Sequence, residues 1–146
     1  MGQRHRRRTD AAVINAWCAY SALVPNRHLW TLDVRGRPAT FATAGEASWK
    51  DAVRLAIEEA GCEPLDARFS VRMVFRLGVS RHAGEVWDLD NLIKPTLDAM
   101  EGIFGRRQWR GRPQPADDRV DQIKAEKRPT TTSEVPGATI DVWAIE

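Results

Sequence analysis

The chain has 146 residues, 42% of them hydrophobic and 29% charged, with a formal net charge of +2. That length makes one domain the default and allows one buried core. The charge content, and the lack of any apolar run near the roughly 20 residues that span a bilayer, exclude a membrane-embedded protein.

From the N-terminus, Arg4, His5, Arg6, Arg7 and Arg8 read as a disordered basic arm. No apolar core follows it, so no secretory signal is expected. Residues 9–24 place Val13, Trp17, Tyr20 and Val24 at helical spacing, and Pro25 ends that segment. Cys18 and Cys62 are distant and belong to no CxxC or Cys/His cluster. They predict free thiols in a reducing cytoplasm, not a disulfide framework or a zinc site.

HLWTLDVRG alternates, with Trp30, Leu32 and Val34 on one face, and predicts a strand. TAGE at 43–46 fits a capping box with Thr43 as N-cap and Glu46 reaching back. The helix behind it carries Trp49, Val53, Ile57 and Ala60 on one side and stops at Gly61. RFSVRMVFRLGV is the clearest strand: Phe69, Val71, Met73, Phe75, Leu77 and Val79 share one face, and Arg68, Arg72 and Arg76 the other. SRHAGE is a turn. In DLDNLIKPTLDAMEGIF, the set Leu92, Ile93, Leu97, Met100 and Phe104 predicts a helix. GRRQWRGRPQPA reads as a long basic loop with Arg106, Arg107, Arg110 and Arg112 around Trp109. RVDQIKAEK and ATIDVWAI read as two final strands. There is no internal repeat. The expected fold is α/β of the α+β kind, a small mixed sheet of about four strands with helices packed on it.

Pro95 sets the expected geometry around Asp88 and Asp90. A proline lacks an N–H and clashes with the carbonyl four residues back, so it belongs in the first turn of a helix. Regular helix is therefore expected from Asn91 or Leu92, with DLDN as an extended lead-in. Residues two apart in such a lead-in point the same way, so Asp88 and Asp90 would aim together and Leu89 would face the core. Paired carboxylates repel and need an offset. The helix N-terminus supplies part of one. A divalent cation supplies more, and hard oxygen ligands select magnesium or manganese. The same DxDN can also serve as a helix cap in a solvated loop. A second acidic pair, Asp117 and Asp118, precedes the next strand, which points to carboxylates assembled in space. Lys94, one turn past Asp90, can reach the same pocket and meet transition-state charge. It can equally pair with Asp98 at i+4 on the helix surface.

DLDNLIKPTLDAM, followed by DDRV and then Lys127, resembles the signature of RusA-type Holliday-junction resolvases, and the likeness in order and pattern extends over about residues 29 to 145. The resemblance implies a RusA-like fold at 29–146, preceded at 1–28 by a basic arm and an extra helix that the family does not usually carry. It implies that Asp88, Asp90 and Asp118 bind metal, with Asp117 as a neighbouring ligand, and that Lys94 is the catalytic lysine. Asn91 matches the asparagine of the motif, and Lys127 the lysine that members often keep at the strand end. The implied activity is magnesium-dependent endonucleolytic cleavage of four-way and other branched DNA by a cytoplasmic, bacterial or phage-encoded homodimer, with manganese as a substitute metal. The segment between the helix and DDRV is longer than expected for the family, and RPATFATAGEASWK lacks the basic string that many members carry. From the residues, Arg106, Arg107, Arg110 and Arg112 are expected at DNA phosphates, with Trp109 able to stack on an unpaired base. Lys127 is assigned to the same DNA contacts. Two other readings fit the same composition: a DNA-binding module whose aspartates only cap helices and balance arginines, and a metal-dependent nuclease acting on other branched or single-stranded nucleic acid.

Overall fold

The computed structural model describes residues 26–146. The basic arm, the 9–24 helix and Cys18 lie outside the described residues. The elements are β1 (Asn26–Arg35), α1 (Glu46–Glu59), β2 (Arg68–Leu77), α2 (Leu89–Asp98), α3 (Glu101–Phe104), β3 (Arg106–Trp109), β4 (Arg112–Pro115), a 3-10 turn (Asp117–Arg119), β5 (Val120–Pro129) and β6 (Gly137–Ile145). A four-stranded mixed sheet in the order β1-β6-β2-β5 and a separate two-stranded hairpin make this an α+β fold.

Alternation builds the sheet. Leu32 and Val34 of β1 sit opposite Ile140 and Ala138 of β6, and Val71, Met73 and Phe75 of β2 sit opposite Val142, Ile140 and Ala138. All of these side chains are buried, as period-2 patterning requires of one sheet face. Helix α1 closes over them with Trp49, Val53, Ala56 and Ile57. Ala60 lies beyond the helix and is exposed, and Gly61 takes a φ of +68° as the helix ends. Gly137 is required at the start of β6, because a Cβ there would lie 1.9 Å from the carbonyl oxygen of Val34.

Six local expectations are corrected. The capping box does not form. Gly45 is the N-cap, Thr43 Oγ1 donates to the carbonyl of Thr40, and the Glu46 carboxylate accepts the N–H of Ala42 at 2.8 Å. Helix α2 begins at Leu89, not at 91 or 92, so Pro95 lies inside it. The helix also breaks at Asp98, and α3 is a separate turn, so Met100 and Phe104 reach the core from a second segment. Arg76 is 8% exposed on the face expected to be solvated. It donates to Thr139 Oγ1 at 2.8 Å, to Asp33 Oδ1 at 3.1 Å and to the carbonyls of Val34 and Val135, which satisfies the charge. Val79 falls beyond β2 and is exposed.

The sixth correction is the basic loop, which is a hairpin. Arg106, Arg107, Gln108 and Trp109 pair with Pro115, Gln114, Pro113 and Arg112. Arg110 and Gly111 form its two-residue turn with φ of +48° and +75°. Positive φ at both central residues matches the right-handed twist of the flanking strands, and glycine takes it without cost.

Candidate active site

Asp88 and Asp90 stand at the entry to α2. Asp88 is the N-cap, with φ −74° and ψ 132°, and Asp90 is in the first helical turn. The two are therefore not successive same-side residues of one extended lead-in. Leu89 between them packs partly against the core, as expected. Among the described residues neither carboxylate has a hydrogen-bond or ion-pair partner, and both are exposed.

Three contacts fix this entry. Trp87 donates its indole N–H to the carbonyl of Pro38 at 3.0 Å. The Arg37 guanidinium lies 5.0 Å from the centre of the same ring and donates to Glu85 at 3.1 Å. Lys127 Nζ donates to the Trp87 carbonyl. The arginine, and after it the N–H of Arg81, hold the Glu85 carboxyl below its ordinary range. Arg37 and Trp87 went unread as site residues, and the only signal for them was an aromatic beside Asp88.

The interior proline is accommodated by a partner from outside the helix. Without an N–H at Pro95, the carbonyl of Asn91 loses its helical donor. It accepts instead the backbone N–H of Phe41 at 3.0 Å. One turn on, Thr96 Oγ1 donates to the Leu92 carbonyl at 2.8 Å and accepts the Trp49 indole N–H at 2.9 Å. These bonds seat α2 against α1.

Asp117 and Asp118 occupy the 3-10 turn that leads into β5. Arg68 holds this turn by donating to the Asp118 carbonyl at 2.8 Å and to the Asp121 carboxylate at 3.0 Å. That pairing holds the Asp121 carboxyl below its ordinary range. Arg119 donates to the Phe104 carbonyl at 2.9 Å, and the Ala116 N–H to the Gly105 carbonyl at 2.9 Å, which ties the end of α3 to the turn.

The two acidic segments meet through basic side chains. Lys94 Nζ is 2.7 Å from Asp98 Oδ1, the i+4 pair, and also 4.0 Å from Asp117 Oδ2. The i+4 pair with Asp98 is thus formed, and the same ammonium lies beside the second acidic turn. Arg107 Nη2 is 3.6 Å from Asp117 Oδ1, and its Nε is 3.4 Å from Asp118 Oδ1. Glu46 lies close enough to feel the Lys94 charge, although the Ala42 N–H and then Lys50 do most to hold its carboxyl low. Of the other expected DNA contacts, Arg106 pairs with Glu101 at 3.1 Å. Arg110 lies 5.3 Å from the Trp109 ring centre, Arg112 is exposed, and Trp109 is 49% exposed instead of folded onto the core.

The donor set suits a hard divalent cation in its chemistry, since Asp88, Asp90, Asp117 and Asp118 offer only carboxylate oxygens. The open carboxylates of Asp88 and Asp90 lack competing protein donors among the described residues. No three acidic or histidine side chains among the described residues are drawn together as a finished cation cage. Basic side chains hold Asp117 and Asp118 instead.

The mixed sheet thus presents an acidic turn beside an arginine-rich hairpin. Residues 24–142 match the family described as Endodeoxyribonuclease RusA. The chain belongs to that family, whose members act on Holliday junctions and are generally dependent on divalent metal. No curated protein matches the chain closely enough to compare. Among the described residues no helix is long and apolar enough to cross a membrane.

Proposed function

We propose that the chain is a magnesium-dependent nuclease that resolves four-way junctions by paired, symmetric phosphodiester hydrolysis, and that it works as a homodimer. The observation that carries this reading is the approach of Lys94 to Asp117 at 4.0 Å, which makes neighbours of the helix bearing Asp90 and the turn bearing Asp118. In this reading Asp88, Asp90 and Asp118 hold the cation and Asp117 flanks it, with manganese as a substitute. A bound divalent cation supplies an activated water and stabilises the departing oxygen.

The chain's own residues do the rest. Lys94 faces the charge that develops on the phosphate. Arg106, Arg110, Arg112 and Lys127 bind phosphates and set the position of the duplex arms. Trp109, open to solvent, stacks on a base freed at the crossover. Two nicks in symmetry-related strands call for two sites of matching symmetry, which a two-fold dimer provides.

Asp90→Asn tests the reading. Asparagine keeps the shape and removes an anionic ligand, and the Asp90 carboxylate has no hydrogen bond among the described residues that the change would break. Cleavage of a synthetic junction in magnesium should drop by at least about a hundredfold, as for loss of a metal ligand set, while junction binding in chelator persists. Wild-type cleavage by Asp90→Asn protein would remove Asp90 from the cation site, and no cleavage by wild type in magnesium would favour the non-catalytic DNA-binding reading.

A further inference from the structure

Both side chains of the Asp117–Asp118 pair are met by cations from elsewhere in the chain, and the more intimate of these is Arg107. Its guanidinium reaches both carboxylates, at 3.6 and 3.4 Å. Arg107 stands on β3, every residue of which is exposed. The hairpin closes at its base through the Gly105–Ala116 backbone bond, and its tip is a two-residue turn. The same guanidinium lies 5.9 Å from the Trp109 ring centre, on the surface assigned above to DNA. One arginine therefore has two competing anionic partners: the acidic pair, and any phosphate that arrives at the hairpin.

We propose that Arg107 is an internal stand-in for the divalent cation. In the free protein it neutralises Asp117 and Asp118. A DNA phosphate draws it away, and the carboxylates it leaves behind take up the metal. An arginine presents fork geometry to carboxylate and phosphate alike, so the exchange costs no change of chemistry. DNA and cation then favour each other's binding, and the coupling factor is the same in both directions. The hairpin makes metal loading wait for substrate. This inference rests on the reading that Asp118 is a cation ligand, and it adds an order of events to it.

The test is manganese binding to the full chain by titration calorimetry, with and without a linear duplex that offers phosphates but no junction. For wild type, the duplex should tighten manganese binding. Arg107→Gln should tighten it without duplex by about three- to thirtyfold, the loss of two competing exposed ion pairs, and the duplex should add little more. Arg54→Gln, an equal loss of charge at an exposed arginine of α1 paired with Asp51, should leave manganese affinity in the absence of DNA unchanged. Equal manganese affinity in wild type and Arg107→Gln overturns the stand-in while leaving the metal site in place. An equal gain in Arg54→Gln also overturns it, since general charge would then explain the effect. Manganese binding that is absent from wild type with or without duplex, or is unaffected by Asp90→Asn, overturns the metal site itself.

Discussion

Thr96 shows how much one hydroxyl can hold. It is fully buried, accepts the Trp49 indole N–H and donates to the Leu92 carbonyl. Thr96→Val keeps the volume and branching but leaves a buried indole N–H unpaired, a loss of about 1–3 kcal/mol. Urea unfolding should show a lower midpoint with an unchanged slope. A midpoint equal to wild type would mean that the indole finds another acceptor. The pairing of Trp49 with Thr96 was not legible in the sequence, because two residues 47 positions apart carry no local sign of contact. The pairing of Lys94 with Asp98 was legible, because i+4 spacing on a helix is a local fact.

At the scale of elements, β2 and β6 were readable because buried residues alternate along most of their length. The hairpin β3–β4 was not. Pro113 and Pro115 disguise β4, and all four β3 side chains are exposed, so no apolar period marks either strand. The helix α2 was placed two to three residues late because a proline's cost was judged within the helix alone, and the N–H that relieves it comes from Phe41. The entry to α2 is also sensitive to pH. The Glu85 carboxyl is depressed by Arg37 and the Arg81 N–H, so its contribution is present above the ordinary carboxylate value and is lost as pH falls through its lower folded value. Glu85→Gln should therefore flatten part of the decline in urea midpoint from about pH 4.5 downward, the range below the ordinary glutamate value. Glu46, Asp121 and Glu134, which are also depressed, should account for the remainder. An acid decline as steep in Glu85→Gln as in wild type would remove the Arg37–Glu85 pair from this role.

At the scale of the molecule, the class of fold followed from the succession of elements, but the strand order did not. The two C-terminal strands β5 and β6 lie on opposite sides of β2, one parallel and one antiparallel to it. Chain order suggests neighbours in a hairpin, and only the shared burial of β2 and β6 explains their pairing. The acidic turn before β5 is brought to α2 by this crossover. The homodimer proposed above belongs to this scale as well. Light scattering at working concentration should give twice the chain mass, and the same sample should nick both strands of a junction. A monomer that resolves junctions fully would end that proposal.

The carbonyl released by Pro95 has one further consequence. Phe41 lies in an irregular segment with its ring 53% exposed, and such a residue would ordinarily lose its amide hydrogen to solvent at once. Its N–H is instead engaged by Asn91, inside the helix that carries Asp90. Deuterium uptake at Phe41 should accordingly be slow, close to that of the α2 amides. Pro95→Ala should hasten it, because a restored N–H at 95 competes for the same oxygen. The proline thus turns a helical carbonyl into a mooring, and a single slow amide would report whether the acidic helix and the loop after β1 move as one.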